Sequence, residues 1–141
     1  MKYFKQFTFS LLALLFSTFL FTSCKDEDDK QEEPQPAAVT IEIASPTAGA
    51  SFGLNETVHI NAQVTAAKEI HGYEVTIRNK SKNNEVVFHK TGHDHATSLH
   101  IHEHWDNTLA DHCDMELEIK VVKDHNGGTE TKTVSFHCHP M

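Results

Sequence analysis

The sequence predicts an all-β domain, built as a two-sheet sandwich of about seven short antiparallel strands. From residue 39 onward, apolar and polar residues alternate with a period of two in one segment after another. Turn-forming residues interrupt this alternation about every ten positions. No window carries the apolar stripe, spaced for a helix, that a packed helix needs. Alternation of this kind lets each strand bury one face in a shared core.

The N-terminal segment predicts export of the protein and is not expected to belong to the folded domain. Lys2 and Lys5 precede an apolar run, and small residues then lead to Cys24. Residues 1–23 therefore match a secretory signal peptide, since the run is too short for a permanent membrane span. Residues 24–38 are acidic, contain no large apolar side chain and end in Pro and Ala, so they predict a disordered tether.

The residues around Cys24 also carry a resemblance. Small residues directly before this cysteine resemble a bacterial lipobox, which implies that cleavage leaves Cys24 as the lipid-carrying first residue. The acidic stretch after it resembles bacteroidete-type lipoproteins. This resemblance implies an outer-membrane lipoprotein of the cell envelope, either periplasmic or exposed on the surface.

The first four strands of the domain, residues 39–141, follow from their alternation and the turns between them. Residues 39–44 form a short strand that a Ser-Pro pair ends. Residues 57–66 alternate Val, Ile and Ala with polar side chains, and residues 72–80 alternate in the same way. A polar turn then leads to the strand at residues 85–90.

Three further strands complete the domain. They occupy residues 98–105, 113–122 and 131–140, and the turn at residues 125–128 makes the last two a hairpin. Seven strands at this spacing predict a single immunoglobulin-like antiparallel β-sandwich, with a small barrel as the alternative. The segment "IEIASPTAGASF" resembles the opening of bacterial Ig-like and fibronectin-III-like modules, which implies the same fold.

The net charge of the chain limits the classes of partner that the sequence predicts. Asp and Glu number 20 against 12 Lys and Arg, which gives a formal net charge of -8 at pH 7. Nucleic-acid binding needs a basic face, so it is not expected. An acidic surface attracts cations. No set of nucleophile, base and acid is visible, and we expect a binding protein rather than an enzyme.

Histidine is the residue that predicts chemistry, because all 12 histidines fall in the predicted domain. In "LHIHEHW" alternate positions of a strand share one face, so a single ion could be chelated by His100, His102 and His104. Imidazole suits Zn²⁺, Cu²⁺ or Ni²⁺ rather than Ca²⁺ or Mg²⁺. The full set of candidate metal ligands is His59, His93, His95, His100, His102, His104, His112, His137 and His139.

The grouping of these ligands stays open at this level. In an Ig-like sandwich His59 lies on the strand that pairs with the His100–His104 strand, while His112, His137 and His139 point outward on the last hairpin. Two separate clusters are as consistent with this arrangement as one. The loop at residues 93–95 could fold over either group. Solvated side chains are expected for the remaining histidines, His71, His89 and His125, and a pH-sensing histidine face is a further possibility.

Cys113 and Cys138 both fall in the inward phase of their strands. A four-residue loop would pair Asp124 with Thr129 and set the cysteines diagonal to each other, so a disulfide would need a small register shift. Two cysteines in an exported domain favour a disulfide. A pair of thiolate metal ligands is the alternative.

The sequence carries two further resemblances. "HIHEHWDNT" resembles the copper-ligand strand of copper/zinc superoxide dismutases, which raises copper as a candidate ion. The matching positions are His100, His102, Glu103, Asp106, Asn107, Thr108, Cys113 and Cys138. The whole chain resembles small, His-rich, Ig-like lipoproteins of bacteroidetes, which implies architecture and location rather than an activity.

Together these observations predict a lipid-anchored envelope protein that binds a transition metal, Zn²⁺ or Cu²⁺ ahead of Ni²⁺, for capture, buffering or handover. The partners expected are the metal ion and, through the lipid, the outer membrane. Two other functions remain open. One is an Ig-like adhesion or envelope-interaction module whose histidines are incidental. The other is a copper oxidoreductase.

Overall fold

The computed structural model describes residues 38–140. The predicted signal peptide, the lipid-carrying Cys24 and the tether up to residue 37 lie outside the described residues. Within residues 38–140, no helix is long and apolar enough to cross a membrane.

The described chain folds into eight β-strands and one short 3-10 turn at Lys80–Lys82. The strands are β1 Val39–Ser45, β2 Ser51–Gly53, β3 Thr57–Ala66, β4 Gly72–Asn79, β5 Glu85–Gly92, β6 Ser98–Asp106, β7 Cys113–Val122 and β8 Thr129–His139. All seven predicted strands are present. β2 was not predicted, because three residues with one apolar side chain are too few to show an alternation.

The strands form two sheets, ordered β1-β3-β6 and β2-β8-β7-β4-β5. This is the division of an immunoglobulin-type sandwich, in which some consecutive strands cross between the sheets while others, here β4–β5 and β7–β8, form hairpins within one sheet. The predicted all-β sandwich is therefore confirmed, and the barrel alternative is not adopted. One pairing departs from the expected antiparallel pattern, since β2 runs parallel to β8.

The core lies between the sheets and consists of the inward positions of the long strands. Ile101 of β6 is fully buried, and its neighbours Leu99 and Trp105 are partly buried against the same core. Full burial of one such aliphatic side chain contributes about 1.5–3 kcal/mol. The other large, fully buried side chains are Phe136, Ile60, Ile70, Ile77, Met115, Leu117, Ile119, Val58, Val64, Val75 and Val121.

The β7–β8 hairpin closes two residues away from the predicted register. Val122 pairs with Thr129, whereas the sequence predicted Asp124 opposite Thr129. The prediction was wrong because Asp124 belongs to the turn. Its carboxylate accepts hydrogen bonds from the backbone N–H of Asn126 (2.8 Å) and of Gly128 (3.2 Å). An Asp that caps a turn in this way cannot also extend the ladder.

Candidate metal-binding sites

The 12 histidines form three groups and leave one residue apart. The strand-face cluster consists of His59, His100, His102 and His104. The loop cluster consists of His71, His93, His95 and His125. The C-terminal cluster consists of His112, His137 and His139. His89 stands alone on β5, where its Nδ1 lies 3.1 Å from the Thr76 hydroxyl.

The strand-face cluster covers the outer face of the β3–β6 pair. His59 lies directly opposite His104, and all four rings are exposed. Directly opposed residues on antiparallel strands have Cβ atoms about 5 Å apart, which is within chelating reach for two imidazoles. Along β6 the ring centroids of His100 and His102 are 6.5 Å apart. The structure thus brings together the four histidines that strand phase places on this face.

The ring of His102 is held in one orientation. Its Nδ1 lies 2.5 Å from the Oδ1 atom of Asn61, the residue opposite it on β3. An amide oxygen can only accept, so Nδ1 carries the proton and donates it. The free lone pair is then on Nε2, on the far side of the ring. A second hydrogen bond of this kind fixes the tautomer in many metal-binding histidines.

The carboxylates near this cluster already have partners. Glu103 points inward, as its phase predicts, and its half-buried side chain lies 3.4 Å from the Lys90 ammonium on the other sheet. Asp106 accepts a hydrogen bond of 2.6 Å from the Thr57 hydroxyl. The strand-face cluster therefore offers mainly nitrogen ligands, with the second carboxylate oxygen of Asp106 as an oxygen donor at its edge.

Asn107, the first residue after β6 and part of the segment that resembles the dismutase strand, has structural partners as well. Asn107 is fully buried, and its Nδ2 donates to the carbonyl oxygens of Gly53 (2.9 Å) and Phe52 (3.3 Å). Its Oδ1 accepts from the backbone N–H of Leu109 at 3.0 Å. Asn107 therefore fastens β2 to the end of β6, which accounts for this residue without a metal.

The loop cluster lies where three connections meet at one end of the sandwich, those of β3–β4, β5–β6 and β7–β8. Backbone hydrogen bonds join them. The His71 N–H donates to the Val122 carbonyl at 2.8 Å, and the Ile70 N–H donates to the Ala96 carbonyl at 3.0 Å. The segment before β4 is thus tied to the end of β7 and to the β5–β6 connection.

Four imidazole rings are in contact there. The Nε2 atoms of His93 and His95 are 3.2 Å apart. His71 packs edge-on against His95 with centroids 4.8 Å apart, and lies 3.8 Å from the centroid of His125. Sequence reasoning treated His71 and His125 as isolated, solvated side chains, but the structure places both rings against others. No pattern along the chain could reveal this, because the four residues come from three different loops.

His71 is the electrostatic centre of the loop cluster. Burial, followed by the neighbouring His125, His95 and His93, lowers its pKa below the usual 6.5, and Asp124 opposes this. Its Nδ1 is buried and has no hydrogen-bond partner. Its surroundings therefore disfavour the charged form of His71 and leave its Nδ1 without a partner.

Two glycines allow these loops to approach each other. Gly72 has a φ of +150°, and a Cβ there would lie 2.6 Å from the Gly92 carbonyl oxygen. A Cβ on Gly92 would lie 2.2 Å from the ring of Tyr73. Both contacts are too close for any larger residue without movement. The close approach brings His93, which follows Gly92, beside the start of β4 and thus toward His71.

The C-terminal cluster is only partly assembled. His137 lies opposite Asp114, and its Nδ1 is 2.9 Å from a carboxylate oxygen of that residue. The ring of His112 stacks over that of His137 at a centroid distance of 6.4 Å. His139 instead places its Nδ1 3.0 Å from the Pro140 carbonyl oxygen.

The two cysteines face the core, away from the histidines. They are directly opposite each other, whereas a diagonal arrangement was predicted, because the hairpin closes earlier than expected. Both are buried free thiols, and Asn79 Nδ2 lies 3.3 Å from Cys113 Sγ. Burial, then Cys113 and Glu56, raise the pKa of Cys138 to about 11. Neighbouring residues on a strand face opposite ways, so neither thiol can share an ion with His112 or His137.

No cluster is a finished coordination shell. In the part of the chain that the structure describes, no three His, Cys, Asp or Glu side chains are already arranged to hold a metal ion. Any site formed by these residues therefore requires side-chain rotation when the ion binds.

Comparisons with known proteins give similarity in shape. No family model matches the chain, and no curated protein matches it. Among solved structures, the fibronectin(III)-like modules of CbhA from Clostridium thermocellum are 16% identical, with a TM-score of 0.47, 71% of this chain covered and 96% of that one. A CARDB domain from Pyrococcus furiosus, solved in complex with di-metal ions, is 15% identical, with a TM-score of 0.43 and coverage of 74% and 96%. CopC from Methylosinus trichosporium OB3b is 11% identical, with a TM-score of 0.41 and coverage of 72% and 95%. The resemblances to lipoproteins and to superoxide dismutases therefore rest on the quoted residues alone.

Proposed function

We propose that this protein is a lipid-anchored envelope protein whose Ig-like domain binds a transition metal, Zn²⁺, Cu²⁺ or Ni²⁺, through the strand-face cluster. The observation that carries the proposal is the register of β3 and β6, which places His59 opposite His104 beside His100 and His102 on one exposed face. The proposed role is binding, for capture, buffering or handover, rather than catalysis.

The donor set supports this class of ion. Imidazole nitrogens are the most numerous donors on this face, and nitrogen ligands suit borderline ions rather than Ca²⁺ or Mg²⁺. Two nitrogens bound to one tetrahedral zinc at about 2.0–2.1 Å lie about 3.3 Å apart. Exposed rings on directly opposed residues can reach that separation by rotating their side chains. Water would complete the coordination, which suits an ion that is taken up and released.

The surface supports binding of an ion more than docking of a protein. Among residues 38–140, the one large apolar side chain that is strongly exposed is Val86, at 48%. A contiguous exposed apolar patch often marks a protein-docking site, and a single side chain does not form one. On residues 38–140 the histidine face is therefore the more distinctive surface feature.

The proposed location rests on the N-terminal sequence. The signal peptide at residues 1–23, Cys24 and the acidic tether at residues 24–38 together support a lipid anchor in the outer membrane. A fully extended tether of this length reaches roughly 50 Å. The domain would thus work near the membrane, where it could pass an ion to another envelope protein.

We also propose that Cys113 and Cys138 form a disulfide in the exported protein. Directly opposed residues on antiparallel strands have Cα atoms about 4.5–5.5 Å apart, within the range that a disulfide spans. Burial disfavours the thiolate that metal ligation requires. The disulfide is therefore better supported than the thiolate metal site.

The test uses residues 25–141, which include the whole core described above. Calorimetric titration with Zn²⁺, Cu²⁺ and Ni²⁺ should show binding near neutral pH, and changing His59, His102 and His104 together to Ala should remove it from this face. The matched control is His89→Ala, an exposed histidine outside every cluster. Unchanged stoichiometry and affinity in the triple variant would contradict the proposal. Dismutase activity of the copper-loaded protein would favour the oxidoreductase alternative.

A further inference from the structure

We infer that His71, His93, His95 and His125 form a second, separate metal site, which takes one divalent transition-metal ion of the Zn²⁺, Ni²⁺ or Cu²⁺ class at the loop end of the sandwich. This site shares no residue with the strand-face cluster. Each of the two sites therefore stands or fails by its own test.

The first step is the rigidity of the backbone that carries the rings. His71 is fixed by its own N–H, which donates to the Val122 carbonyl at 2.8 Å. His125 sits in a turn whose Asp124 carboxylate accepts two backbone N–H groups. The ligands are thus presented by tied loops, so an ion would have little backbone to order when it binds.

The second step is the distance between two donor atoms. The Nε2 atoms of His93 and His95 are 3.2 Å apart. Two nitrogens on one tetrahedral ion, each at about 2.0–2.1 Å, are about 3.3 Å apart. The pair, which is within hydrogen-bond distance without an ion, already has the separation of two ligands on a shared ion, so only the ring orientations need to change.

The third step is the unsatisfied nitrogen. His71 Nδ1 is buried without a hydrogen-bond partner, and its ring packs edge-on against that of His95. A buried polar atom without a partner is rare in proteins and calls for an explanation. A metal ion held between His71 and His95 would supply the missing partner.

The contacts between the rings point the same way. Four charged imidazoles at these distances would repel one another, so the arrangement suits neutral rings. Neutral rings are the form that binds metal. An anion would need charged rings, and a hard cation would need oxygen ligands. Imidazoles outnumber carboxylates here, and Oδ1 of Asp124 is engaged in the turn, so the donor set favours a borderline ion.

An ion at this point would join three connections that otherwise meet through a few hydrogen bonds. The β5–β6 connection contributes His93 and His95, the β3–β4 connection contributes His71, and the β7–β8 turn contributes His125. Binding should therefore slow local opening of all three loops together.

The experiment isolates this site by removing the other. In residues 25–141 with His59, His100, His102 and His104 all changed to Ala, Zn²⁺ titration should still show one bound ion. Adding His93→Ala and His95→Ala should weaken that binding by two orders of magnitude or more. Both residues are exposed, so folding should persist, which circular dichroism checks. The matched control is His112→Ala with His137→Ala, which removes a histidine pair elsewhere and should change nothing.

A second measurement does not depend on affinity. Hydrogen exchange of the amides of His71, Ala96 and residues 123–128 should slow on Zn²⁺ addition in the parent and not in the His93/His95 variant. His71→Gln should reduce the protection while keeping a polar side chain. If the variant without the strand-face histidines binds no Zn²⁺, the loop site is refuted while the strand-face proposal stands. If the full chain binds none either, both are refuted.

Discussion

The strand-face and loop clusters each contain four histidines, but the chain assembles them differently. In the first, one β ladder sets every position, and the rings of His100 and His102 stand 6.5 Å apart in solvent. In the second, three loops contribute, and the Nε2 atoms of His93 and His95 are 3.2 Å apart. In the strand-face cluster the β ladder places the histidine rings on one surface, where they must move to meet. In the loop cluster the converging loops already hold the rings in contact.

This difference has a consequence for binding. Exposed rings on a ladder must lose rotamer freedom when an ion arrives, which costs part of the affinity and leaves the ion accessible for exchange. Rings already in contact lose less freedom. We therefore expect the loop cluster to hold its ion longer than the strand-face cluster does.

Both clusters are carried by the same β-sandwich, and the largest expected effect concerns the stability of that sandwich. A disulfide between Cys113 and Cys138 closes a loop of the β7–β8 hairpin and should stabilise the fold by about 3 kcal/mol. Reducing the exported protein should lower its free energy of unfolding in urea by that amount, with neither metal stoichiometry changed. A variant with both cysteines changed to Ala should not respond to reductant. Two free thiols in the native exported protein would refute the disulfide.

The next largest effect should distinguish the loop cluster from the strand-face cluster. Gly72→Ala places a Cβ against the Gly92 carbonyl oxygen at a φ of +150°, so we expect a loss of about 2 kcal/mol in the free energy of unfolding. Binding at the loop cluster should weaken, while the strand-face cluster should keep its affinity. Gly49→Ala is the control, because it also has a positive φ of +75° but meets nothing within 4 Å. Equal losses in both variants would show that the close approach at Gly72 is unimportant.

A substitution on β3 should weaken metal binding at the strand-face cluster and leave the loop cluster unchanged. Asn61→Ala removes the acceptor for His102 Nδ1, so that ring loses its fixed tautomer. Loss of such a partner typically lowers metal affinity by about 10-fold or more. Titration should show this at the strand-face cluster alone. Gln63→Ala is the matched control, since Gln63 Nε2 bonds the Ser98 hydroxyl instead of a histidine.

The smallest expected effect is a change in how the free energy of unfolding depends on pH. The pKa of His71 is lowered in the fold, so below pH 6.5 the unfolded chain takes up a proton that folded His71 resists. Stability should therefore fall as pH drops through 6.5 toward the folded pKa. In the absence of metal, His71→Gln should reduce this fall between about pH 7 and pH 5, measured by denaturation in urea. An unchanged pH dependence would mean that the loop cluster does not shift the titration of His71.

The contrast between a β ladder and converging loops also explains which features the sequence could predict. The period of two predicted the strands, the inward phase of Ile101 and the shared face of the strand-face histidines, because these depend only on local geometry. The partnership of His71 with His125 could not be predicted, because it depends on how loops pack after the sheets form. The register of the last hairpin was missed for a related reason: the Asp124 carboxylate bonds within its own turn, a choice that alternation cannot encode.

Asn107 makes the attachment of β2 sensitive to the charge of one side chain. Its buried amide donates both to Gly53 and to Phe52, and so holds β2 against the end of β6. A carboxylate in its place would only accept hydrogen bonds, yet it would face the same two carbonyl oxygens. β2 would then depend on its ladder with β8 and on nearby backbone hydrogen bonds. The neutral amide at this one position thus helps to keep the edge of the five-stranded sheet covered.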